Sequence, residues 1–266
     1  MKSLFLLAPL FLALSTTSLF ILLPLYVYPG SQASAWSPAT AAIAAYPKVQ
    51  WQVIVNPASG PGTTGYPTDA NYITGINYLN SYANVKTLGY VDTNFTHRAY
   101  SAVVSDINVY ATWASYTETN ANISIAGIFF DDVNNTATAP GSTAVSTYMQ
   151  NASAYAYANV PSDITPVVFN PGSLAPTGLF SYCDTMVEFE NTQSSYKNQT
   201  TINTIPSAYR DQSAILVYSI TTANVSSLVH TMALDGVEAV YFTSDCCYNS
   251  LNGTLLMQLA AAVQAG

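Results

Sequence analysis

Apolar residues gather in eight short runs, at residues 20–28, 49–55, 85–91, 124–130, 165–169, 185–190, 214–220 and 236–243. Each is bounded by Pro, Gly, Asn or Asp and is rich in β-branched or aromatic side chains, which predicts strands. Both faces of these runs are apolar, as parallel strands covered by helices require. Between most of them the spacing turns helical. Asp69 opens a segment with Tyr72, Ile73, Ile76, Leu79 and Tyr82 at helical intervals, and Thr96 precedes Tyr100, Val103, Val104 and Ile107. Ser142 precedes Val145, Tyr148, Met149, Ala152 and Tyr155; Asn224 precedes Leu228, Val229 and Met232; residues 255–263 form a last apolar helix. Eight strand–helix units in 266 residues predict a single-domain (β/α)8 TIM barrel, with an open doubly wound sheet as the alternative.

A barrel presents its chemistry at the C-terminal ends of its strands. The predicted ends are Tyr28, Asn56, Asp92, Asp131 with Asp132, Asn170, Glu190, the neighbourhood of Tyr218, and Ser244 with Asp245. The chain has only 14 acidic residues, yet five fall on this rim. Asp and Asn also follow strands as turn and cap residues, a role that suits Asp245. Glu190 does not fit that explanation, because Glu is a poor turn residue and a costly one to bury. Glu188 lies one pleat below it, on the same predicted face.

The run GIFFDD at 127–132 delivers two adjacent carboxylates to the end of one strand. Neighbours on a regular strand alternate faces, so Asp131 and Asp132 share a pocket only if the strand has already turned. Strands 4 and 6 stand two steps apart, ~10 Å by sheet spacing. Inward side chains would narrow this to roughly 5–9 Å, the range covering both retaining and inverting glycosidases. Asp131, Asp132 and Glu190 are therefore the candidate catalytic residues. Tyr28, Tyr90, Tyr218 and Tyr248 offer ring faces, Asn56 and Asn170 offer amides, and Asp92 and Glu188 offer carboxylates to a saccharide.

Composition narrows the partners. A net charge of −8 argues against nucleic acid, whose phosphates require a basic footprint. Other chemistries lack their motifs. His97 and His230 have no second histidine at metal-ligand spacing, residues 56–62 lack the ending of a phosphate loop, and no G-x-S-x-G elbow is present. No cofactor and no metal are implied.

Lys2 followed by the apolar run 4–14 reads as a signal peptide over residues 1–18, although apolar character to residue 25 leaves a signal anchor as the alternative. Seven N-x-[ST] sequons, at Asn94, Asn122, Asn134, Asn151, Asn198, Asn224 and Asn252, agree with export. A secreted, extracellular or wall-associated protein follows, without stable membrane association once the signal is removed. A glycan on Asn134 would stand at the mouth of the proposed site, so this sequon is expected to be empty or to point away. Of three cysteines, Cys183 precedes strand 6 while Cys246 and Cys247 follow strand 8, at opposite ends of a barrel. The adjacent pair is expected to close into an eight-membered disulfide ring, two free thiols being the alternative.

The segments PLYVYP, VIVNPASGPG, TLGYVDTNF, GIFFDD, VVFNPG, VEFENT and YFTSD together resemble the spherulin-4-like family, which includes glycoside hydrolase family 135. The resemblance covers nearly the whole chain after residue 18. It implies a (β/α)8 barrel and endo-α-1,4-galactosaminidase activity on galactosaminogalactan. It also implies catalytic roles for the positions of Asp131, Asp132 and Glu190. Where the family carries an Asp-Glu pair this chain has Asp131-Asp132, the second side chain one methylene shorter. The expected function is hydrolysis of an amino-sugar-containing polysaccharide; a catalytically silent polysaccharide-binding or structural protein is the alternative.

Overall fold

The computed structural model describes residues 19–62, 65–67, 69–136, 142–163 and 165–266; the expected signal peptide lies outside them. Eight parallel strands occur in chain order: β1 (Phe20–Leu25), β2 (Trp51–Val55), β3 (Val85–Asp92), β4 (Gly127–Asp131), β5 (Val167–Phe169), β6 (Thr185–Thr192), β7 (Ser213–Tyr218) and β8 (Ala239–Phe242). Each pairs with the next, and β1 also pairs with β8, Phe20 opposite Ala239 and Ile21 opposite Val240. That last pairing closes the barrel and rules out the open sheet.

Helices cover the outside: α1 (Ser37–Ala45), α2 (Ala70–Asn80), α3 (Tyr100–Thr112), α4 (Ser142–Asn159), α5 (Gln199–Thr204), α6 (Val225–Leu234) and α7 (Gly253–Ala265). Between β5 and β6 the described chain makes only a short 3-10 segment, Thr177–Tyr182. Local chemistry sets several starts. The Asp69 side chain accepts from Asn71 N and caps α2, Asn252 accepts from Leu255 N and caps α7, and Pro38 occupies the first turn of α1.

The strands bury most of their positions, all six in β1 and the first four in β4. Close approach at β3 and β4 depends on glycine. A Cβ on Gly89 would lie 2.7 Å from the Tyr110 ring of α3, and one on Gly127 would lie 2.1 Å from Pro166 O. A side chain at either position would push α3 or the chain entering β5 away from the strands that carry the site.

Several boundaries differ from the sequence reading. β1 ends at Leu25 rather than Tyr28, and β4 runs from Gly127 to Asp131 rather than from 124 to 130. β6 continues to Thr192 and carries a register shift between Val187 and Phe189. Among the described residues no helix is long and apolar enough to cross a membrane.

Candidate active site

The last residue of β4 is Asp131, paired with Asp92 of β3. Immediately beyond it Asp132 adopts φ 50, so the strand has turned. The adjacent carboxylates are thereby freed from alternation. Thr93 pins the turn: its N–H donates to Asp131 O at 3.0 Å, and its hydroxyl donates to Asp131 O at 2.9 Å and to Asp132 O at 2.7 Å.

Asn170, just past β5, joins the two candidate carboxylates. Its Nδ2 donates to Asp131 Oδ1 at 2.7 Å and to Glu190 Oε2 at 2.7 Å. Those two oxygens therefore lie within about 5.4 Å of each other. The rest of Asn170 is also committed. Its N–H donates to Phe130 O, its carbonyl accepts from Val133 N, and its Oδ1 accepts from Gly172 N at 2.9 Å. With backbone and side chain both held, the amide has one orientation in which to present its two hydrogens.

Two tyrosines complete the set. Tyr248 OH donates to Glu190 Oε1 at 2.5 Å, and the Tyr90 hydroxyl bonds the Asp131 carboxyl. Tyr26 stands edge-on between their rings, with centroids 5.5 Å from Tyr90 and 5.7 Å from Tyr248. Burial, followed by the neighbouring carboxylates, raises both Tyr90 and Tyr248 far above the usual phenol range, so both remain donors. Burial pushes Asp131 up to about 6; the Tyr90 hydrogen bond opposes the shift and the charge of Glu190 adds to it. Asp132 is raised by burial and then by the charges of Asp131 and Asp92.

Tyr26, Asp131, Asp132, Asn170, Glu190 and Tyr248 line a cleft of about 340 Å³ with Pro171, Gly172 and Cys247, and Tyr90 joins them through its bond to Asp131. A larger cavity of about 510 Å³ lies against α6, but its lining of amides, hydroxyls, Tyr196 and Leu228 contains no carboxylate. The candidate carboxylates line the smaller cleft. Among the described residues no group of three His, Cys, Asp or Glu is arranged to hold a metal ion.

The profile of spherulation-specific family 4 matches residues 20–263. Spherulin-4 of Physarum polycephalum is 32% identical over 265 residues, covering 95% of this chain and 72% of that protein. The chain belongs to the spherulin-4-like family. The crystal structure of Aspergillus clavatus Sph3 in complex with GalNAc is similar over 93% of this chain and 98% of that one, with a TM-score of 0.81 and 30% identity. A GH18 chitinase from Pseudoalteromonas aurantia, covering 91% of this chain and 99% of its own, shares the fold alone, at TM-score 0.58 and 11% identity.

In this spherulin-4-like chain the predicted rim residues divide into two groups. Asp131, Asp132, Asn170, Glu190, Tyr90 and Tyr248 come together. The others do not line the cleft. Glu188 is 3% exposed and its Oε1 accepts from Ala175 N at 3.1 Å, while burial pushes its carboxyl up to about 7. The register shift after Val187 breaks the alternation that placed it beside Glu190. Tyr28 lies three residues beyond the strand, 51% exposed, donating to Asp69 Oδ2 and accepting from Asn71 Nδ2. Asn56 accepts from Gly60 N, and Asp92 Oδ1 from Asn94 N, each ordering its own loop. Tyr218 reaches Asn191 Oδ1 at 3.5 Å on the exposed side.

The expected Cys246–Cys247 ring is absent, since Cys183, Cys246 and Cys247 are all free. The two neighbouring thiols contact by a hydrogen bond, which raises Cys247. The turn carries φ 67 at Cys247 and 56 at Tyr248; it is shaped to return Tyr248 to Glu190 rather than to close a ring. Asn134 directs its Nδ2 to Phe95 O at 3.3 Å and is not part of the cleft lining. The residue missed by sequence reasoning is Tyr26, which follows the end of β1 at Leu25 and lines the cleft. Its position just before Tyr28, at the end of an apolar run, was the available signal.

Proposed function

We propose that this chain is a secreted retaining glycoside hydrolase acting on an amino-sugar-containing polysaccharide such as galactosaminogalactan, with Asp131 and Glu190 as the catalytic pair. The observation that carries the reading is the single Asn170 amide bonded to both carboxylates. Retaining enzymes set their carboxyl groups about 5–5.5 Å apart, whereas inverting enzymes leave about 6.5–9.5 Å for a water molecule. An upper limit of about 5.4 Å between the bridged oxygens fits the former.

One carboxylate of the pair attacks the anomeric carbon while the other, as the acid, protonates the departing glycosidic oxygen. The second group then removes a proton from water as that water cleaves the glycosyl-enzyme bond. Asn170, Tyr90 and Tyr248 are positioned to hold the carboxylates in place and to stabilise their charged forms. Asp132, on the turn, faces the bound sugar from the rim. Similarity to a structure described as bound to GalNAc supports an amino sugar as the ligand. A net charge of −8 favours a partly deacetylated, cationic polymer.

A second reading, polysaccharide binding without hydrolysis, is favoured by the short side chain of Asp132. The test is reducing-end release from galactosaminogalactan by the purified protein and by Glu190→Gln. The substitution keeps the shape and removes the titratable group, so we expect a loss of roughly 10²–10⁴-fold with an unchanged circular dichroism spectrum. Equal rates in the two proteins would overturn the assignment, and binding by both without release would favour the second reading.

A further inference from the structure

The loop between β3 and α3 carries a feature that the carboxylate pair leaves unused. Asn94, Phe95 and Thr96 stand consecutively at positive φ, 45, 52 and 65. A bulky residue in this region is an outlier, and three non-glycine residues in succession are rarer still. The segment is nevertheless firmly held. Phe95 N donates to Asp132 O at 2.7 Å, Phe95 O accepts from Asn134 Nδ2 at 3.3 Å, and His97 N donates to Asn94 O at 2.8 Å. Two of these bonds run to the segment that follows β4 and carries Asp132 into the cleft.

The held residue gains little for its own side chain. Phe95 is 50% exposed, and its ring stacks on no other ring among the described residues. An exposed apolar ring on a strained backbone, tied by its N–H to Asp132 at the cleft and by its carbonyl to Asn134 two residues beyond, is a pattern of functional sites rather than of packing. Unlike Tyr28, whose hydroxyl is engaged by Asp69 and Asn71, Phe95 has no polar handle. It has only its π face to offer.

We infer that Phe95 is a stacking platform for a saccharide unit neighbouring the one held at Asp131 and Glu190. The inference rests on the proposed function of the cleft. The ligand class follows from the chemistry of the two surfaces. A galacto-configured pyranose has an axial hydroxyl at C4, which leaves the C–H groups of C3, C4 and C5 together on the opposite face. That apolar, weakly positive patch matches the negative face of an aromatic ring. Gluco-configured rings lack this continuous patch. Phe95 therefore binds the polymer beyond the cleavage point and favours galactosamine-type units there.

The test uses Glu190→Gln as the parent, so that oligosaccharides are bound without being cut. Affinity for α-1,4-linked galactosamine oligosaccharides is measured by titration calorimetry on the parent and on its Phe95→Ala, Phe95→Leu and Phe95→Trp derivatives. All four proteins are produced without N-glycans, so that occupancy of the Asn94 sequon, whose middle residue is Phe95, is not a variable. We expect Phe95→Ala to weaken binding about tenfold, the loss corresponding to roughly 60 Å² of apolar contact. Phe95→Leu, apolar but without a ring face, should be equally weak, and Phe95→Trp should restore binding. Should the alanine variant fail to fold, the leucine and tryptophan pair decides the matter alone. Parent-level affinity in the alanine or leucine variant would overturn the platform while leaving the saccharide reading of the cleft intact. Absence of oligosaccharide binding by the parent would overturn both.

Discussion

Replacing Asn170 with alanine removes the amide that Asp131 and Glu190 share, and the structure sets how the damage depends on pH. Asn170 hydrogen-bonds the ionised form of Asp131 and so holds its carboxyl lower than burial alone would leave it. A hydrogen bond to a charged group is worth about 1.5–3 kcal/mol, so its loss should raise Asp131 from about 6 by a further ~1–2 units. For an acid whose folded value lies above its unfolded one, stability is complete below the unfolded value and is lost as pH rises through the folded value. At pH 5 Asp131 is largely protonated in both folded proteins, and the variant's further rise changes little. At pH 8 it is ionised in the wild type and largely or half ionised in the variant, so the rise costs the variant roughly 1–2 kcal/mol there. The bonds to Gly172 and Glu190 contribute a part that does not follow the Asp131 proton. Urea denaturation of wild type and Asn170→Ala should therefore show a deficit about 1–2 kcal/mol larger at pH 8 than at pH 5. The limb of the kcat/KM profile that Asp131 governs should move upward in the same variant. An equal deficit at both pH values would refute the claim that the amide acts on the Asp131 charge.

Tyr248→Phe removes the hydroxyl that donates to Glu190 at 2.5 Å and should lower kcat/KM by roughly 10–100-fold, with thermal melting as the check that the fold survives. Asp132→Glu restores the longer side chain expected from the family and should raise turnover on galactosaminogalactan; a fall would point to a pocket adapted to aspartate and to a different sugar. Burial pushes Glu188 up to about 7 from 4.5, so the stability it contributes is complete below its unfolded value and disappears as pH rises through about 7. Calorimetry should find the melting temperature falling from pH 5 to pH 8 in the wild type and falling less in Glu188→Gln. Some slope should persist, because burial also pushes Glu238 up to about 7.

Strand positions were legible because most strands are apolar on both faces and end in a polar turn, so the eight runs could be read without knowing any contact, whereas closure rests on the pairing of β1 with β8. The helical layer was less so. α1, with the sequence SPATAAIAA, and the six residues of α5 have no pronounced apolar stripe, which leaves spacing arguments little to work on. At the rim, Asp131 and Glu190 stood out because a carboxylate interrupting an apolar run needs a reason. Glu188 satisfied the same criterion and was misplaced, since period-two reasoning fails where β6 shifts register. Asn56 and Asp92 have loop-ordering roles that no composition separates from binding. Asn170 was recognised as an amide on the rim, but its double donation depends on β5 standing between β4 and β6, which is a property of the closed barrel.

The left-handed backbone at Asp132 also bears on how this position varies. Aspartate enters that region several times more readily than most residues, because its short side chain can bond locally, whereas glutamate gains no such relief. The chain geometry that frees the second carboxylate from the strand thus prefers the shorter acid, while contact with a distant sugar atom prefers the longer one. In this chain position 132 is a point of competition between ordering a loop and reaching a ligand.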